Sequence, residues 1–170
     1  MIIRAIQPGD RMAIADIHTL NWQQSYRYQM PVDFLDNDLP QQMREYWLSR
    51  QINDDDIVLV AEDNDKIIGF AAAWHAEPLY LDNLHVVEAF RSHGLGRRLM
   101  GEIAKQGAEN GCKAIDLHVV IGNERAEKLY LALGGVITAT EDKPLSGIAV
   151  PHYRISWPDI RTLIAKTTAK

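Results

Sequence analysis

Apolar residues along the chain recur with two periods, and the switches between them predict the order of elements. Residues 2–6 (IIRAI) read as a short strand that Pro8, Gly9 and Asp10 break, after which Met12, Ile14, Ile17, His18 and Leu20 fall at helical spacing. The stretch from Asn21 to Arg50 mixes Trp22, Tyr26, Tyr28, Met43 and Trp47 with Pro31, Pro40 and an Asp/Asn-rich run at 33–38, which predicts two short helices and an exposed loop. The segment IVLVAEDNDKIIGFAAAWH, residues 57–75, is two apolar runs about a polar turn and predicts an antiparallel hairpin.

A strand follows at 79–87 (LYLDNLHVV), then a loop and a helix that begins near Gly94 and stops at Gly111. KAIDLHVVIG is the next strand, NERAEKLYLALGG the next helix, and residues 136–157 read as a closing pair of strands about Pro144–Gly147. The last residues, PDIRTLIAKTTAK, read as a frayed helix. Hairpins join antiparallel neighbours and helical crossovers join parallel ones, so this order predicts an α+β fold with a mixed, mostly antiparallel sheet. Six to seven strands, about four flanking helices and a central βαβα unit are expected. With no repeat, low-complexity tract or linker, residues 1–170 read as a single domain.

Composition narrows the class of partner. Eighteen Lys and Arg against 23 Asp and Glu leave a formal charge of −5, and the basic residues are scattered except between Arg91 and Arg98. That distribution argues against nucleic acid as a partner. No apolar run is long enough to cross a bilayer and the start carries no basic-then-apolar leader, so no membrane partner and a cytoplasmic location are expected. The lone Cys112 allows no internal disulfide, and the histidines at 75, 85, 93, 118 and 152 lack the short spacings of a metal centre, so no metal is expected.

Arg91-Ser92-His93-Gly94-Leu95-Gly96-Arg97-Arg98 lies between the strand that ends at Val87 and the next helix. Two glycines there let the backbone turn tightly and approach a ligand, so that successive N–H groups and the helix dipole face an anion such as a pyrophosphate, with Arg91 and Arg97 adding charge. The plainer reading is a glycine-containing helix start with solvated arginines. A dinucleotide-binding fold is a sharper rival, because Asp116 follows Gly94-x-Gly96 by about twenty residues, where a ribose-binding acid would sit. Against it, Leu99 stands where the third glycine belongs, and six residues intervene before Gly94 where a tight turn is required.

The run LHVVEAFRSHGLGRRLM, with Arg-x-x-Gly-x-Gly after a strand ending in valine, resembles the signature of the GNAT superfamily of N-acetyltransferases. Asn123, Ala126 and Tyr130, in the next helix, match the family's second hallmark at the family's spacing, and the resemblance runs from the hairpin at 57–75 to the strand near 157. Gly135 departs from the aromatic residue usual at that place. The resemblance implies an acyltransferase that takes acetyl-coenzyme A as donor and an amine as acceptor, with a homodimer as a possible assembly. It implies that backbone N–H groups from His93 through Gly94, Leu95 and Gly96 to Arg97 hold the pyrophosphate. It also implies that the strand bearing Leu84, His85 and Val86 splays from the strand bearing His118, with the pantetheine arm in the gap beside Asn123 and Ala126. Tyr130 would reach the thioester sulfur.

Acetyl transfer needs a neutral amine, a donor for the oxyanion and a hydrogen bond for the departing sulfur. A tyrosine, with a pKa of about 10, stays protonated beside a thiol of about 8.5, so Tyr130 suits the leaving group. Asp82 and His118, on the two central strands, are the candidate bases; each reads equally well as a structural polar residue. Strict alternation would put Tyr80, Asp82, Leu84 and Val86 on one face of their strand and Asn83 and His85 on the other. Trp22, Tyr26, Tyr28, Phe34, Asp33, Asp36 and Asp38 are candidates to surround the acceptor. A non-catalytic acetyl-coenzyme A sensor is the alternative function, and the intact Asn123 and Tyr130 speak against it.

Overall fold

The computed structural model describes residues 1–169. β1 (Ile2–Ala5) leads into α1 (Arg11–Ser25) and α2 (Leu39–Ser49), followed by the hairpin β2 (Ile57–Asp63) and β3 (Lys66–Trp74). Next come β4 (Leu79–Val86), α3 (Leu95–Glu109), β5 (Ile115–Val120) and α4 (Glu124–Ala132). The hairpin β6 (Val136–Leu145) and β7 (Ile148–Trp157), then α5 (Ile160–Thr168), complete the chain. One seven-stranded sheet runs β1-β2-β3-β4-β5-β7-β6, and β4 and β5 form its parallel pair. The doubly wound parallel sheet of a dinucleotide fold is therefore absent.

Helices cover both faces of the sheet. On one, Leu99, Met100 and Ile103 of α3 and Leu163 of α5 pack on Leu79, Leu81, Ile115 and Leu117; on the other, Ile14 and Ile17 of α1 and Met43 and Trp47 of α2 pack on Val58, Val60, Phe70 and Ala72. This double cover explains why β2 and β3 are apolar at consecutive positions. Two-residue turns close both hairpins: Asn64 and Asp65 have φ of 50° and 59°, and Ser146 and Gly147 have 47° and 82°. Left-handed pairs of this kind match the twist of the strands they join.

Three local expectations change. α1 extends through Trp22 to Ser25, and its Met12 and Leu20 are exposed. The C-terminal segment is a packed helix: Asp159 caps it through Arg161 N–H at 3.0 Å, and Ile160 and Leu163 are buried. Gly135 lacks a side chain because Trp157 of β7 occupies the space, so a Cβ there would lie 2.6 Å from Ile155 Cγ2 and 2.7 Å from Trp157 Cζ2. Gly135→Ala should therefore lower stability by about 1–3 kcal/mol through overpacking, read as a reduced urea midpoint. An unchanged midpoint would mean that Trp157 has room to move.

Candidate active site

β4 is bonded to β3 up to Val86 but to β5 only from Leu79 to Leu81, opposite Ile115 to Leu117. Beyond those residues β4 and β5 part, and each exposes an unpaired backbone edge to the gap. The chain then turns into α3 with Ser92 at φ 64° and Gly94 at φ 77°, both left-handed. The first bond of the helical ladder runs from Arg98 N–H to Gly94 C=O, which leaves the N–H groups of Leu95, Gly96 and Arg97 outside it. A Cβ on Gly96 would meet Leu129 of α4 at 3.4 Å, an ordinary contact, so α3 and α4 lie side by side here. Free N–H groups at the positive end of a helix suit an anionic group.

A cavity of about 240 Å³ lies there, lined by Leu84, Val86, Arg91, Gly94, Leu95, Gly96, Arg97, Ala126 and Tyr130 among others. A second cavity, of about 520 Å³, opens on the α1–α2 side and is lined by Trp22, Tyr26, Tyr46, Tyr80, Asp82, His85, His118, Asn123 and Lys143 among others. Leu84, Arg125, Ala126 and Tyr130 border both. The two spaces thus meet at Tyr130.

Strict alternation fails in β4. Ala72 pairs with Asn83 but Ala73 pairs with Leu81, so Asp82 is an unpaired bulge residue. Consequently Leu79, Leu81, Leu84 and Val86 face the α3 core, whereas Tyr80, Asn83 and His85 line the larger cavity. The bulge brings Asp82 into that cavity as well, where its Oδ2 accepts from Trp74 Nε1 at 2.8 Å and from Asn83 Nδ2 at 2.9 Å.

His118 sits inside a polar cluster. Its Nδ1 is 3.2 Å from the Tyr80 hydroxyl, its Nε2 is 3.3 Å from Glu141 Oε2, and Lys143 Nζ lies 3.3 and 3.4 Å from the two ring nitrogens. Burial, and then the Lys143 charge, hold its pKa below the ordinary 6.5, so the ring is neutral at pH 7. Burial and the nearby Asp82 push the Tyr80 phenol up to about 12. Tyr130 is 8% exposed and packs edge-on against Trp157. Burial, then the neighbouring Tyr26, raise its pKa well above 10, with Arg125 opposing.

Other predicted residues occupy positions with a second use. Asn123 caps α4, its Oδ1 accepting from Ala126 N–H at 3.4 Å, and with Tyr26 it lines the larger cavity. Arg91 folds back onto Val86 C=O at 3.0 Å, Asn21 Oδ1 at 2.5 Å and Gln24 Oε1 at 2.6 Å, tying the end of β4 to α1. Arg97 donates to the carbonyls of Lys166 and Ala169 at the end of α5. The His85 ring stacks on His18 and Phe70, away from the smaller cavity, so only its backbone faces the gap; His93 is exposed in the loop. Of the acceptor candidates, Trp22 and Tyr26 line the large cavity. Tyr28 is fully exposed, Asp36 pairs with Arg27, Asp33 bonds Asn37, Phe34 is half-buried against the core and Asp38 lies outside the cavity wall. Tyr80, Arg125, Glu141 and Lys143 join the site without having been singled out by motif. Asp116, the ribose candidate of the rival reading, instead pairs with Arg154 of β7.

No helix among the described residues is long and apolar enough to cross a membrane.

The architecture is that of acetyltransferases. The PaiA N-acetyltransferase of Thermoplasma acidophilum, solved with coenzyme A, superposes with a TM-score of 0.76 over 91% of this chain and 96% of its own at 19% identity. YncA of Salmonella typhimurium, solved with acetyl-coenzyme A, gives 0.63 over 92% of both chains at 20% identity. The profile of the acetyltransferase (GNAT) family matches residues 14–134, and the chain belongs to that family of acyltransferases. YuaI of Bacillus subtilis (strain 168), an uncharacterized N-acetyltransferase, is 23% identical over 95% of each chain. Thialysine N-epsilon-acetyltransferase of Bos taurus is 32% identical over 63 residues, which cover only 37% of each chain.

Proposed function

We propose that this protein transfers an acetyl group from acetyl-coenzyme A to an amine that enters from the larger cavity. The observation that carries this reading is the meeting of two cavities at Tyr130, one against the free N–H groups of α3 and the other lined by His118 and Asp82. When bound, acetyl-coenzyme A supplies the acetyl group as a thioester. The N–H groups of Leu95, Gly96 and Arg97 hold its pyrophosphate, assisted by the dipole of the fifteen-residue α3. The backbone edge of Leu84–Val86, with Asn123 and Ala126, lines the slot for the pantetheine arm, and a β4 N–H there faces the thioester oxygen.

His118 acts as the base. Neutral at pH 7, it accepts the proton that the amine nitrogen loses as its N–C bond to the acetyl group forms. Glu141 beside Nε2 stabilises the resulting imidazolium. Tyr130 donates a hydrogen bond to the sulfur as the C–S bond breaks, and its raised pKa keeps it protonated for that role. Asp82, anchored by Trp74 and Asn83, attracts the cationic amine before deprotonation.

Calorimetric titration with acetyl-coenzyme A, with NAD as control, tests the reading without choosing an acceptor. Saturable binding of acetyl-coenzyme A alone is expected. Binding of NAD alone, or of neither, would overturn it. Binding without acetyl transfer to any amine would favour the sensor alternative.

A further inference from the structure

Resting on that reading of the site, we propose that the acceptor amine also carries a carboxylate, and that Lys143 binds it. The chain as a whole is acidic, at −5, yet the ionised residues lining the larger cavity are Asp82 against Arg125 and Lys143. Arg125 also borders the smaller cavity, so its charge is shared with the donor. Lys143 borders the larger cavity and is absent from the wall of the smaller one. It comes from β6 of the β6–β7 hairpin, where exposed and half-buried positions alternate and Lys143 is half-buried.

A lysine near a hairpin tip would ordinarily extend its ammonium into water. This one turns inward, with Nζ 5.9 Å from the Tyr80 ring centroid and against both nitrogens of His118. Among the described residues it forms no ion pair with a carboxylate, although Glu141 of the same strand contacts the same Nε2 of His118. The cavity therefore presents an ammonium whose one recorded polar partner is a poorly basic imidazole. A carboxylate on the acceptor would supply the missing counter-charge.

Binding there also acts on the base. An ammonium that leaves the His118 ring for a carboxylate leaves Nδ1 facing the Tyr80 hydroxyl and Nε2 facing Glu141, and removes the cation that disfavours protonation of the ring. Lys143 is thus a specificity residue that couples a carboxylated acceptor to a competent base. Asp82 lines the same cavity and offers a carboxylate to the acceptor's ammonium, so an amino acid fits the charge pattern of the wall.

The test uses matched pairs, each an α-amino acid and the amine that remains without its carboxylate: lysine and cadaverine, ornithine and putrescine, phenylalanine and phenethylamine. Acetyl-coenzyme A binding is measured first on each protein. In at least one pair the amino acid should have a kcat/KM about tenfold or more above its partner, as expected for one charge-assisted contact. Lys143→Met should bring that ratio to about one, and Lys143→Arg should preserve a preference. Equal rates within every pair, or a ratio that survives in Lys143→Met, would overturn the assignment. So would an absence of turnover with every carboxylated member while acetyl-coenzyme A still binds, an outcome that leaves the donor reading intact. Failure to bind acetyl-coenzyme A would remove both.

Discussion

Tyr130→Phe is expected to lower kcat for acetyl transfer about 100-fold, the scale of a lost proton donor, while the Kd for acetyl-coenzyme A stays nearly unchanged. The prediction follows from how the ring is held. Tyr130 packs edge-on against Trp157 with centroids 6.4 Å apart, and Trp157 is itself fixed by its Nε1 donating to Leu133 C=O at 3.0 Å and by the space that Gly135 leaves open. Phenylalanine fills the same space, so the packing survives and only the hydroxyl is lost. Burial and the neighbouring Tyr26 keep that hydroxyl protonated across the neutral range, which suits a donor to the sulfur and excludes a base. Steady-state rates paired with calorimetry separate the outcomes. Unaltered kcat would remove Tyr130 from the chemistry, and equal losses in kcat and affinity would reduce it to a wall of the slot.

Local patterns in the chain carried most of the architecture. The polar turn at Asn64-Asp65 and the apolar runs around it sufficed for the β2–β3 hairpin, and Gly94 with Gly96 marked the start of α3. What the one-dimensional pattern could not carry was register. The bulge at Asp82 is a mismatch between two strands, invisible in either one, and it reassigns the faces of Tyr80 and Leu84. The same holds for Gly135, whose missing side chain makes sense only against Ile155 and Trp157 of β7, twenty and twenty-two positions away. On the acceptor side, aspartates at 33, 36 and 38 drew attention by their density, yet Arg27 and Asn37 bind two of them outside the cavity. The charges that do line the cavity are Asp82, Arg125 and Lys143, the last of them one lysine in a hairpin without a motif around it. Arg91 and Arg97 carried the signature of an anion site, but their guanidinium groups fasten α1 and α5 around it, leaving backbone N–H groups at its floor.

Acid should unfold this protein through two histidines before its carboxylates titrate. His18 of α1 is buried, and its Nδ1 accepts from Trp47 Nε1 at 3.1 Å, which requires the neutral ring. His85 of β4 stacks on it with centroids 4.6 Å apart. Burial, then the presence of His85, hold His18 well below 6.5; burial, then Arg91 and Arg125, bring His85 down to about 3. A folded-state pKa below the unfolded value means that the unfolded chain binds the proton first. Stability is therefore complete above about pH 6.5 and falls as pH drops toward the folded values, by about 1.4 kcal/mol per pH unit for each histidine. Between pH 7 and pH 5 His18 should cost about 2 kcal/mol, and His85, whose ring borders the cavity, up to the same. The Arg4–Asp10 pair, in which Arg4 holds the carboxyl below 3.8, loses its contribution only at lower pH, so the window from 7 to 5 belongs to the histidines. Urea unfolding across that window, beside NMR titration of the imidazole signals, measures both quantities. A slope of two protons or more in the wild type, His118 adding its own share, that drops by about one in His85→Phe would bear out the account. A stability that stays flat to pH 5, or a His18 resonance that titrates near 6.5, would mean that water or an acidic neighbour reaches the pair and that its burial does not govern the acid limb.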